Sequence, residues 1–122
     1  PYYRWLFFGA GPTEAAVTNR ALGVEVPPER AGMVGYGCFA DVMDTLETAV
    51  AGDDYILGER FSAVDVYLGS QIVWGLQFGS IEKRPAFENY AQRIVTRPAA
   101  ARARQIDDAL VAEIQRNKPA EG

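Results

Sequence analysis

Apolar side chains recur every three or four residues along most of this chain, which is the spacing of one face of an α-helix. The clearest stripe lies in the first half of the sequence and consists of Tyr36, Phe39, Met43, Leu46 and Val50. Two further stripes are expected to be buried along helix faces, Val64, Leu68 and Ile72 in one helix and Phe87, Tyr90, Ala91, Ile94 and Val95 in the next. We find no convincing strand pattern, in which apolar and polar residues would alternate. The sequence therefore predicts an all-α fold, a bundle of about five helices.

Prolines mark several of the expected helix boundaries, because proline lacks an amide hydrogen and suits the first helical turn. The first helix is expected over residues 2–22, with a kink or break near Pro12. The others are expected to begin at Pro28, after Ser62, at Pro85 and at Pro98, and the second of the five to end at Gly52-Asp53-Asp54.

The size and charge of the chain limit the classes of function. With 122 residues and 48% hydrophobic residues, it fits a single globular domain, residues 1–122. A net charge of -4 argues against a nucleic-acid or anionic-membrane partner, which would attract a basic surface. No apolar run is long enough to span a bilayer. We expect no nucleic acid and no membrane among its partners.

Histidine is absent from the sequence, which excludes a Ser-His-Asp triad, a Cys-His pair and histidine-ligated zinc. The single cysteine, Cys38, is expected to be a buried small apolar residue and to indicate a reducing, cytoplasmic location. Asp41, Asp44 and Glu47 recur every three residues without supporting ligands, so we interpret them as a solvated face. No metal site is expected.

The segment "FSAVDV" carries the signature of a helix start. Ser62 is a favourable N-cap whose hydroxyl accepts from the amide of Asp65, and Asp65 reaches back to the amide of Ser62, closing a capping box. Phe61 and Val66 are spaced to form a hydrophobic staple across it. A catalytic role for Ser62 would need a base, and no histidine supplies one. We interpret the segment as a folding signal.

Three stretches, "YYRWLFFGAGPTEAAV", "YILGERFSAVDVYLGSQIVWG" and "RPAFENYAQRIVTRPAAARA", resemble the C-terminal all-helical domain of bacterial-type glutathione S-transferases. In that family an N-terminal thioredoxin-like domain binds glutathione and carries the residue that activates its thiol. No such pattern precedes Tyr2, and Pro1 lies directly within an aromatic run. The resemblance therefore implies that the thioredoxin-like domain is missing from this chain.

The resemblance also implies a role for the part that is present. It would be the electrophile-binding, dimer-forming half of an enzyme that adds the glutathione thiol to a hydrophobic electrophile. The implied partners are the missing domain, a second copy and the electrophile, with glutathione as co-substrate. No catalytic residue is expected in this chain, and no activity is expected from it alone. The residues matching the family's electrophile wall are Tyr3, Phe7, Trp74 and Phe78.

Structural interpretations of the same residues, and functions other than a transferase, also remain open. Each of the four aromatic residues is about equally suited to ordinary core packing. "YYRWLFF" is apolar nearly all round, which fits either the middle of a bundle or an interface. The domain could serve as a protein-interaction module without catalysis, or as an independent helical bundle with a coincidental capping signature.

Overall fold

Six α-helices run through residues 1–52 and 54–119, the part of the chain that the computed structural model describes. They are α1 (Tyr2–Phe8), α2 (Glu14–Ala21), α3 (Phe39–Val50), α4 (Ala63–Phe78), α5 (Pro85–Val95) and α6 (Pro98–Arg116). An isolated bridge pairs Tyr55 with Gly58, and the described residues form no β-strand. The predicted all-α class is confirmed, with six α-helices rather than about five.

The interruption expected at Pro12 is a change of helix type. Residues Gly9–Thr13 form a π-helical segment between α1 and α2, so the helical path continues through the proline. Pro12 has no amide hydrogen to donate to the carbonyl of Phe8, and the turn widens around it. The amide of Glu14 then bonds to the carbonyl of Gly9, five residues back.

The second predicted helix is wrong at its start. Pro28–Met33 is a short 3₁₀ helix, and α3 begins only at Phe39, after Cys38 in an extended conformation. Glycines weaken helices, and Gly37 adopts a positive φ of 71° that ends any continuation from the 3₁₀ turn. Tyr36 therefore lies outside the helix, where its hydroxyl accepts from Asn19 Nδ2 at 3.0 Å. The predicted end includes Asp53, which lies outside the described residues, and α3 ends at Val50.

The core follows the predicted stripes of the later part of α3 and of α4 and α5. Val64, Leu68 and Ile72 on α4 are fully buried, as the sequence predicts. The residues buried with them include Met43, Leu46, Val50, Ile81, Phe87 and Tyr90. Burial of a large apolar side chain contributes about 1.5–3 kcal/mol, so these stripes supply most of the driving force for folding.

The predicted capping box is present at the start of α4. The Ser62 amide donates to Asp65 Oδ2 at 2.9 Å, and Ser62 Oγ accepts from the amide of Val64 at 3.2 Å. Asp65 is fully buried, and its Oδ1 also accepts from the Ile56 amide at 3.0 Å and the Tyr90 hydroxyl at 2.7 Å. One carboxylate therefore joins the preceding loop, the start of α4 and α5.

The staple remains a prediction. The ring of Phe61 packs edge-to-face on Tyr55 with centroids 5.3 Å apart, and Val66 is 55% exposed. Phe61 thus helps to hold the loop before α4, where the capping box begins.

The acidic residues of α3 do more than face solvent. Arg84, just before α5, binds Asp44 at 2.7 Å and Glu47 at 2.6 Å through Nη1, and it also binds Glu82. The hydrogen bond to Asp44 is the largest cause raising the pKa of Arg84 above its ordinary value, followed by the bond to Glu82. Two of the three residues that we interpreted as a solvated strip therefore tie α3 to the start of α5.

The chain divides into two units, Pro1–Ala91 and Gln92–Gly122. In the second unit, α6 has no buried residue, and its apolar side chains Ile106, Leu110, Val111 and Ile114 are exposed. None of the described helices has the length and apolar character needed to cross a bilayer.

Candidate functional site

A groove lies between α4 and the helical path that runs from the π segment into α2, entirely within the first unit. Its volume is about 550 Å³, within the range of small-molecule sites in proteins. The first wall consists of Thr13, Glu14, Val17 and Thr18. The second, with the turn after α4, consists of Val66, Tyr67, Ser70, Gln71, Trp74, Gly75, Phe78 and Ser80.

Two of the predicted ligand-wall residues meet in this groove. Trp74 and Phe78 lie one turn apart on α4, and their rings pack edge-to-face with centroids 5.8 Å apart. They are nevertheless 63% and 71% exposed, so most of their apolar surface is uncovered by this chain. Aromatic surface of this kind is well suited to contact the ring of a bound molecule.

The other two predicted wall residues are exposed on α1. Tyr3 and Phe7 each leave 71% of their surface uncovered, and neither lines the groove. Helix α1 packs against α4, so the exposed aromatic residues belong to neighbouring helices. The structure does not bring Tyr3 and Phe7 into the same cavity as Trp74, and their assignment to the ligand wall remains a prediction.

Two glycines allow the close packing that shapes the groove. A Cβ on Gly9 would lie 3.2 Å from the ring of Tyr67 and 3.3 Å from Leu68, so glycine lets the π segment approach α4. A Cβ on Gly75 would lie 2.5 Å from the side chain of Ile81, which folds back over the end of α4. Neither position carries a positive φ, so close approach is what requires glycine there.

Polar groups connect the two walls. Gln71 Nε2 on α4 donates to the carbonyl of Gly9 at 3.2 Å, which fixes the side-chain amide against the π segment. The other end of that amide, Gln71 Oε1, is buried without a hydrogen-bond partner. Thr13 Oγ1 is also buried and unpartnered, in a residue only 1% exposed. Such atoms are rare in native proteins.

The formal charge of the lining is small. Glu14 is the single Asp, Glu, Lys or Arg among the described residues that line the groove. Within residues 1–52 and 54–119, no cluster of three acidic or cysteine side chains is arranged to hold a metal ion. The groove is therefore an apolar site with a few polar groups, which is the usual composition of a ligand pocket.

Cys38 corrects one expectation from the sequence. The thiol is exposed, at the N-cap position of α3, because the chain is still extended there and has not entered the core. A second cavity of about 400 Å³ lies beside it, lined among others by Arg20, Tyr36 and Phe39. The guanidinium of Arg20 lies 4.2 Å from the centroid of the Phe39 ring.

Sequence reasoning missed most of the groove's first wall. Thr13 and Val17 follow Pro12 on a helix that the pattern treats as broken, and their side chains face α4 only because the π segment carries the path onward. Nothing in the sequence around Gln71 indicates a functional role. Gly75 could have been noticed, since a lone glycine inside an apolar helical run often marks close packing.

Comparison with known proteins returns nothing similar: no family model, no curated sequence and no solved structure matches the chain.

Proposed function

We propose that this chain is the C-terminal, electrophile-binding and dimer-forming domain of a glutathione transferase, acting in the cytoplasm. The observation that carries the proposal is the α2/α4 groove, whose wall includes the exposed rings of Trp74 and Phe78. A hydrophobic electrophile with an aromatic ring would cover these rings and be held by apolar contact.

The proposed reaction divides its tasks between two domains. A thioredoxin-like domain would bind glutathione and lower the pKa of its thiol, so that the thiolate attacks an electrophilic carbon and a leaving group departs. This chain would hold the electrophile at the mouth of the groove, which replaces a collision in solution by a fixed approach. The reaction as proposed draws on no metal ion and on no catalytic group from this chain.

Exposed aromatic residues on α1 support the partner surfaces in the proposal. Tyr3 and Phe7 are largely uncovered, and contiguous exposed apolar surface usually marks an interface. We propose that α1 meets the thioredoxin-like domain and a second copy of the protein, with part of its surface left to complete the electrophile wall.

Ligand binding at the groove is tested with meta-dinitrobenzene, an aromatic probe without a leaving group, so that the exposed thiol of Cys38 is not arylated. Trp74→Ala is expected to weaken binding about tenfold, because the probe loses its aromatic contact. In the Trp5→Phe variant Trp74 is the remaining tryptophan, so quenching of its fluorescence measures how tightly the probe binds to a groove that still carries Trp74. Calorimetry compares the variants.

Met33→Ala is the matched control, because Met33 is 80% exposed and does not line the groove. This variant should bind the probe like the wild type. Equal weakening in both variants, or no binding to the wild type, would contradict a site at the groove.

Activity is tested on the protein read from its initiator methionine, in comparison with residues 1–122 alone. The proposal predicts that the longer protein conjugates glutathione to an aryl halide and that the shorter one does not. A longer protein with no thioredoxin-like domain and no conjugation would refute the transferase assignment while leaving the groove as a binding site.

The exposed apolar residues also favour a second candidate, a protein-interaction module without catalytic activity. Ile106, Leu110 and Ile114 leave more than half of their surface uncovered on α6. This alternative predicts that a protein partner, rather than an aromatic small molecule, protects apolar surface, and hydrogen exchange with and without meta-dinitrobenzene separates the two.

A further inference from the structure

We propose that Gln71 Oε1 and Thr13 Oγ1 form a polar subsite in the α2/α4 groove that selects neutral aromatic ligands carrying a hydroxyl or N–H group. This inference rests on the proposed binding role of the groove, and it specifies the class of ligand that the groove accepts.

The first support is the pair of unpartnered oxygen atoms. Gln71 Oε1 and Thr13 Oγ1 are both buried without a hydrogen-bond partner, and both residues line the groove. Buried polar atoms are nearly always hydrogen-bonded in native proteins, because a buried polar atom without a partner destabilises the fold. A ligand that supplies the missing partners removes this cost when it binds, which strengthens its binding relative to an apolar ligand.

The second support is the position of the two atoms. Gln71 Nε2 donates to the carbonyl of Gly9, so the side-chain amide is held with its oxygen as the free end. Gly9 and Thr13 are the first and last residues of the π segment, about one turn apart and on the same side of the helix. Gln71 and Thr13 therefore line the groove from its two walls, with the Gln71 amide held at the first residue of the π segment and Thr13 at its last.

The chemistry of these atoms defines the ligand. An amide oxygen only accepts, so the ligand must donate to Gln71, whereas the threonine hydroxyl can donate or accept. No described residue lining the groove is Lys or Arg, and Glu14 brings a negative charge, so anionic ligands are disfavoured. The remaining lining is largely apolar and aromatic, which suits a neutral ring with one donating group.

Ser70 provides an internal control. It lines the same groove, but its hydroxyl already bonds to the carbonyl of Val66 within α4. Ser70 is therefore not a buried group without a partner, so pairing with it removes no cost of the kind that Gln71 Oε1 and Thr13 Oγ1 carry, and Ser70→Ala should leave the preference for donating ligands unchanged.

The test compares para-nitroaniline with N,N-dimethyl-para-nitroaniline, which has the same ring without N–H donors. We expect the wild type to bind para-nitroaniline about tenfold more tightly, measured by calorimetry. Thr13→Val and Gln71→Met should each reduce this preference, and Ser70→Ala should retain it. Thr13→Val should also melt no lower than the wild type, because it replaces an unpartnered buried hydroxyl with a methyl group of the same shape. A preference lost in a variant that remains folded thus reports on the subsite.

Two results would overturn the subsite. One is equal affinity of the wild type for both compounds, and the other is a preference that persists in Thr13→Val and Gln71→Met. If both compounds bind equally and Trp74→Ala weakens both, the groove is a ligand site and only the subsite is refuted. If neither compound binds, the proposed function of the groove fails together with the subsite.

Discussion

Asp65→Ala is expected to lower the free energy of unfolding by about 3 kcal/mol or more, since it removes a fully buried acceptor that serves three parts of the fold. The carboxylate accepts from the Ile56 amide, the Ser62 amide and the Tyr90 hydroxyl at 2.7–3.0 Å. Without it, buried donors lose their acceptor and a space opens beside the core. Chemical denaturation monitored by circular dichroism measures the change.

Two variants distinguish an Asp65 carboxylate that connects several elements from one that only caps a helix. Asp41→Ala removes an exposed acidic residue from the first turn of α3, and its effect should stay below about 1 kcal/mol. Tyr90→Phe removes the hydroxyl that donates to Asp65 from α5 and should cost about 1 kcal/mol. If Asp65→Ala were no more destabilising than Asp41→Ala, the carboxylate would be a local cap and not a junction between elements.

Gly75→Ala is expected to destabilise the protein by about 1–3 kcal/mol through steric overlap. A Cβ at this position would lie 2.5 Å from both Cγ1 and Cδ1 of Ile81 and 2.8 Å from its Cβ. Ile81 is only 2% exposed and β-branched, so its side chain has little freedom to move aside. The turn after α4 must shift instead, and with it the hydrogen bond from the Ile81 amide to the Gly75 carbonyl.

Gly32→Ala, in the short 3₁₀ helix Pro28–Met33, is the control for Gly75→Ala. No side chain or backbone atom outside its chain neighbours lies within 4 Å of a Cβ on Gly32, and its φ is not positive, so this substitution should be neutral or stabilise the protein by up to about 1 kcal/mol, as alanine favours helix. Combining Gly75→Ala with Ile81→Ala should cost less than the sum of the two single changes, because the overlap disappears. Equal stability of the two glycine variants would refute the close contact.

The sequence allowed the local features of the fold to be predicted. The stripe of Val64, Leu68 and Ile72 is buried at helical spacing, and the capping box at Ser62 and Asp65 is formed. Both follow from residues three or four apart, where helical geometry alone determines which side chains meet. The prolines at the starts of α5 and α6 belong to the same class of signal.

Features that depend on distant residues were not predicted. The 25-residue separation of Asp65 and Tyr90 in the sequence gives no pattern to recognise, yet their contact makes the cap a junction of the core. The ion pairs of Asp44 and Glu47 with Arg84 were not predicted, because Arg84 comes about 40 positions later in the sequence. Cys38 was expected to be buried, but it precedes α3 in an extended conformation and its thiol is exposed.

The candidate site was also predicted only in part. Trp74 and Phe78 were predicted as ligand-wall residues from the resemblance to glutathione S-transferases, and both line the groove. The opposite wall depends on a π segment that periodicity does not predict, because one additional residue per turn changes which side chains face α4. Thr13 and Gln71 became visible as candidates only once their burial and missing partners were known.

The most direct test of the central claim is a set of two-dimensional amide NMR spectra of this chain, recorded while meta-dinitrobenzene is added. If the groove binds the probe, resonances of residues 13–18 and 66–80, which border the groove, should shift progressively and saturate together. Resonances around Cys38 and along α6 should stay in place. Shifts centred on the cavity beside Cys38, or no saturable shift anywhere, would contradict the assignment of the groove as the ligand site.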